Sequence, residues 1–63
     1  MFHIVDLQNN HQRVKGGFTT AAKAYDWGKK NLGKDAVRPW DIMSLSSEKI
    51  REFNRRRYYI RMD

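Results

Sequence analysis

The stretch from Gly16 to Leu32, GGFTTAAKAYDWGKKNL, constrains the fold more than any other part of the chain. It reads as the end of a strand, a helix start and an amphipathic helix. Phe18 closes the strand, and Thr19 or Thr20 offers the N-cap hydroxyl that takes an otherwise orphaned backbone N–H. Ala21, Ala24, Trp27 or Gly28, and then Leu32 recur at helical spacing and form one apolar stripe. Lys23, Asp26 and Lys30 fall on the other side. Gly33 follows the last periodic residue and suits the left-handed position after a helix.

Before this unit, residues 2–7, FHIVDL, read as a strand. The cluster QNNHQ then turns the chain. Asn tolerates positive φ, so Asn9 and Asn10 fit the two central residues of a tight hairpin. That register sets Val5 opposite Val14, Asp6 opposite Arg13 and Ile4 opposite Lys15, pairing valine with valine and acid with base. A longer loop would shift the pairing by one residue and exchange the two faces. In the tight register one face carries His3, Val5, Leu7, Val14 and Phe18, the natural core face for the helix. The other carries Phe2, Ile4, Asp6, Arg13 and Lys15. Gly16 and Gly17 can hold a bulge that re-aims Phe18.

After the helix, GKDAVRPWDIMSL is a connection. Pro39 forbids a regular helix through it and biases Arg38 toward extended backbone. Val37, Trp40, Ile42 and Leu45 are too apolar for a free linker, so the segment is expected over the core with Trp40 capping one end. Residues 46–56 read as a second helix, with Ser46 as N-cap and Leu45 and Ile50 at the spacing of a hydrophobic staple. Glu48 in its first turn and Arg55 and Arg56 in its last complement the helix dipole. The end, RYYIRM, alternates as a third strand: Tyr58, Ile60 and Met62 on one face, Arg57, Tyr59 and Arg61 on the other. The expected fold is α+β, a small three-stranded, at least partly antiparallel sheet with two helices on one face, in the order β-β-α-α-β.

The 63 residues of 1–63 are expected to form one small domain of marginal stability, since a chain this short buries only about 60% of the surface its unfolded form exposes. It has no cysteine, so neither a disulfide nor a thiolate metal site is available. A homodimer would add buried area. No apolar run approaches the ~20 residues that span a bilayer, and MFHIVDLQNN lacks the features of a secretory signal. The expectation is a cytoplasmic protein with no membrane partner.

The sequence carries no phosphate-cradling glycine loop of the GxxxxGK[ST] or GxGxxG type. Ser44, Ser46 and Ser47 stand where caps and loops use serine. Glu48 and Glu52 sit among arginines, as solvated salt-bridge formers do. His3, Asp6 and His11 are the nearest approach to a metal-ligand set, but His3 and Asp6 point to opposite faces of a strand. The expectation is a non-enzyme with no metal and no cofactor.

The formal net charge is +6, from thirteen Lys and Arg against seven Asp and Glu. Such a balance favours polyanions, nucleic acid before acidic protein surfaces. The sheet face opposite the helices would gather Arg13, Lys15, Arg57, Tyr59 and Arg61. Cations neutralise phosphates, and flat aromatics stack on bases. These five are the candidate residues for binding DNA or RNA. Phe2 and Ile4 fall on the same face in this register and need cover. With Tyr59 they form the anchor of the alternative reading, a protein–protein adaptor such as a small phage or bacterial regulator. Lys15-Gly16-Gly17 and Asn54-Arg55-Arg56-Arg57 are lesser phosphate-contacting candidates, each also explained as a strand corner or a basic helix end.

GFTTAAKAYDW, residues 17–27, resembles the GFxTxxxAxxW corner of the arm-site-binding N-terminal domain of phage-type tyrosine integrases, with Gly17, Phe18, Thr20, Ala24 and Trp27 at the matching positions. The resemblance implies a sheet that docks into DNA. It covers those eleven residues only. Here two strands precede the helix rather than three, and neither the second helix nor Trp40 has a counterpart. It names no family for the whole chain.

Overall fold

A computed structural model describes residues 1–42 and 44–63. The elements are β1 (Phe2–Asp6), β2 (Gln12–Phe18), α1 (Ala21–Asn31), α2 (Ser47–Asn54) and β3 (Tyr58–Met62). The three strands form one sheet in the order β2-β1-β3, and both pairings are antiparallel. The fold is therefore α+β in the order β-β-α-α-β.

The strand-to-helix unit forms as its sequence dictates. Thr20 has extended backbone and its hydroxyl accepts the Lys23 N–H at 3.1 Å. Gly33, with φ of 137°, follows the C-cap, and its N–H reaches the Gly28 carbonyl. α1 packs against all three strands. Ala24 and Gly28 are its buried positions, and they meet Ile4, Ile60 and Val37. Gly28 is required there, because a Cβ would sit 2.5 Å from Val37 Cγ2. Phe18 and Trp27 pack at 6.0 Å between ring centroids beside this core.

The hairpin register differs from the tight one. Asp6 pairs with Gln12, so the loop runs from residue 7 to residue 11. Positive φ falls on Asn10 and His11 rather than on Asn9 and Asn10, and Gln12 N–H closes the turn on the Asn9 carbonyl. Ile4 still faces Lys15, but Val5 faces Arg13, leaving Val14 as the extra residue of a bulge. A second irregularity lies at Gly16-Gly17, where Gly17 has φ of 83° and Phe18 is brought opposite Phe2. The glycine pair thus holds the bulge its sequence allows.

The two faces of β1 are also exchanged relative to the expectation from sequence. Phe2, Ile4, Tyr58 and Ile60 lie under α1, with Ile4 fully buried. Leu7 and Val14, expected in the core, are each 39% exposed. The α1 side takes the row with the larger apolar content, Phe2, Ile4, Phe18, Tyr58, Ile60 and Met62. The other row, His3, Val5, Arg13, Tyr59 and Arg61, is left outside.

The connection adds a short fourth edge. Val37 bridges Tyr58 in parallel, with Arg38 N–H on the Tyr58 carbonyl at 2.8 Å and Tyr58 N–H on the Ala36 carbonyl at 3.1 Å. Trp40 then meets Phe2 edge-on at 5.2 Å and covers that end of the core. Ser46 caps α2 through the Lys49 N–H. α2 is held through this connection rather than on the strands. Arg56, just past its end, donates to the Val37 carbonyl at 2.8 Å, reaches Asp35 and Tyr25, and lies over the Phe53 ring.

Candidate nucleic-acid interface

The face of the sheet opposite α1 is built from alternate residues of each strand. Cross-strand partners share a face. His3 stands opposite Arg61, and Val5 stands between Tyr59 and Arg13. Arg38 joins this face from the connection, its guanidinium carbon 5.4 Å from the centre of the Tyr59 ring. It points outward because Val37, one residue earlier, points into the core.

Two contacts cross the central strand on this face. His11 Nδ1 and the Tyr59 hydroxyl are 3.0 Å apart, joining the turn before β2 to β3. At the other end Arg13 Nη2 donates to Asp63 Oδ1 at 2.9 Å, and the same carboxylate closes on His3 Nδ1. Val5, in the central strand between Arg13 and Tyr59, is only 2% exposed although α1 is on the opposite side. The face therefore presents polar and cationic tips over a covered apolar strip. Arg61 is exposed and forms no ion pair among the described residues.

Of the five residues singled out from sequence for nucleic acid, this face brings together Arg13, Tyr59 and Arg61. Lys15 is exposed but stands opposite Ile4, in the row that faces α1. Arg57 precedes β3, and its guanidinium is committed to Asp6: Nε donates to Oδ1 at 2.9 Å and Nη2 to Oδ2 at 2.8 Å. Asp6 is 5% exposed and also accepts the Gln8 N–H. The Arg57 hydrogen bonds, aided by Gln8 N–H, outweigh the opposing effect of burial and hold the Asp6 carboxyl below the usual carboxylate range. The same hydrogen bonds push Arg57 further toward its charged form. The sequence placed both Lys15 and Arg57 on the open face. Lys15 keeps its pairing with Ile4 and so goes with it to the α1 side, and the pairing with Asp6 takes the second.

Phe2 and Ile4, the two apolar anchors expected on the open face, lie beneath α1 and Trp40. Their cover is intramolecular. The basic run at 54–57 is largely engaged within the fold: Asn54 accepts from Arg38 Nη1 at 2.8 Å, and Arg56 and Arg57 are held as described, although only Arg56 of the run is withdrawn from solvent. Arg38 is the functional candidate that sequence reasoning missed. The signal was its place before Pro39, which fixes extended backbone, one residue after an apolar Val.

Among the described residues no three His, Cys, Asp or Glu side chains converge as metal ligands. No helix among them is long and apolar enough to cross a membrane. The chain matches no protein-family model, and neither the curated proteins nor the solved structures include a significant match to it.

Proposed function

We propose that this is a small non-enzymatic basic module that binds nucleic acid, DNA or RNA, through the sheet face opposite α1, with Arg13, Arg38 and Arg61 on the phosphates. The observation that carries this reading is the convergence of three arginines from β2, the connection and β3 on one face around Tyr59. Arg13 is paired with Asp63 at the surface, where such pairs contribute little, so a phosphate can exchange for the carboxylate. Tyr59 serves mainly as a platform: Arg38 lies over its ring and His11 holds its hydroxyl. The local resemblance of residues 17–27 to an integrase DNA-binding domain runs in the same direction. The adaptor reading loses two of its three anchors, because Phe2 and Ile4 are covered within the fold.

Fluorescence anisotropy of labelled single-stranded DNA, duplex DNA and RNA tests the proposal. Binding should weaken steeply between about 50 and 200 mM salt and fall further in R61E. Absence of binding to all three at low salt, or binding indifferent to both salt and Arg61, overturns it.

A further inference from the structure

Arg38 touches two surfaces at once. Its guanidinium covers Tyr59 on the sheet face, and its Nη1 donates to Asn54 Oδ1 on α2. Beyond Asn54 a groove of about 310 Å³ opens between the connection and α2, lined by Arg38, Trp40, Ile42, Ile50 and Asn54. Trp40 is 47% exposed although it meets Phe2 edge-on, and among the described Phe, Tyr and Trp residues it is the one exposed side chain.

We infer that this groove takes one unpaired nucleobase of a single strand whose backbone continues over the sheet face. The inference rests on the nucleic-acid reading and adds to it a preference for unpaired strands. The volume is at the lower end of small-ligand sites, a size class that suits one nucleotide rather than a peptide helix. The Trp40 indole offers a π-face for stacking, and Ile42 and Ile50 supply apolar walls. Asn54 accepts from Arg38 through Oδ1, which orients its amide NH₂ to donate to a base carbonyl. Arg38, at the junction of groove and face, meets the phosphate of the same nucleotide. A paired base in a duplex is stacked and cannot enter.

The test is an NMR titration of the full ¹⁵N-labelled chain with a short oligothymidylate and, separately, with a duplex. W40F assigns the two indole N–H signals, and the Asn54 side-chain amide is followed beside the Arg61 backbone amide. With the single strand, the Trp40 indole and Asn54 amide should shift together with Arg61, while the Trp27 indole stays. With the duplex only Arg61 should move. W40A should weaken single-strand binding about tenfold and leave duplex binding unchanged. N54A, on the exposed end of α2, should weaken the single strand several-fold without touching the core. Movement of Arg61 with both ligands while the groove signals stay still overturns the groove and leaves the sheet face standing. Equal movement of the Trp40 indole with the duplex also overturns it. Stillness everywhere overturns the nucleic-acid reading itself.

Discussion

Arg57 and Asp6 meet through two parallel hydrogen bonds, 2.9 and 2.8 Å long, joining the end of the first strand to the start of the last across 51 residues of chain. The contact lies just before β3, and it commits the guanidinium of one arginine to a buried carboxylate.

It also makes stability depend on pH. The folded-state pKa of Asp6 is depressed below its ordinary value of 3.8, chiefly by the Arg57 hydrogen bonds. A depressed carboxylate contributes stability that is present above its unfolded pKa and is lost as pH falls through the folded one. The urea midpoint should therefore decline below about pH 4. D6N should lower the midpoint at neutral pH and flatten that acid limb. An unchanged acid limb in D6N would place the titration elsewhere.

Gly28 faces Val37 so closely that an added methyl group overlaps it. On an exposed helix Gly→Ala gains about 1 kcal/mol from helix propensity. Here overpacking against a fully buried side chain should reverse the sign, and G28A should lose about 1–3 kcal/mol in urea unfolding. G28A and V37A should be non-additive when combined, since the two sites share one contact.

The exchange of faces is testable by stability alone. Ile4 is fully buried under α1, so I4A should cost about 2–5 kcal/mol, enough to unfold much of so small a domain. Val14 is at a bulge on the open edge strand, and V14A should stay within about 0.5 kcal/mol. Thermal melts by circular dichroism compare the two. A V14A cost equal to or above that of I4A would contradict the exchange.

Charges on and off the proposed face should behave differently toward nucleic acid. R61A, and R38A on a folded background, should each weaken binding and reduce the salt slope by about 1. K23A, on the exposed side of α1, should do neither. Anisotropy across a salt series reads both quantities.

Local signals made most of the fold legible. Thr20 as cap, the stripe through Ala24 and Gly28, Gly33 after the helix, Ser46 before the second helix and the glycine bulge all depend on neighbours in the chain. The hairpin register did not, because Asn9-Asn10 and Asn10-His11 both accept positive φ, and one step between them moves Arg13 from opposite Asp6 to opposite Val5. The apolar content of β3 held the deciding information: Ile60 pairs with Ile4, and together they outweigh His3 and Val5 as a surface for α1. The site was half legible for the same reason. Tyr59 and Arg61 follow from strand alternation, whereas Arg13 owes its place to the bulge at Val14, and the capture of Arg57 by Asp6 and of Arg38 by Tyr59 requires pairings far apart in sequence.

The measurement that tests the central claim most directly is a map of backbone amide shifts on adding nucleic acid at low salt. The sheet-face account predicts that the largest shifts cluster at His3, Val5, Arg13, Arg38, Tyr59 and Arg61 and fade as salt is raised. Shifts confined to the lysines of α1, Lys23, Lys29 and Lys30, or no shifts at all, would contradict it.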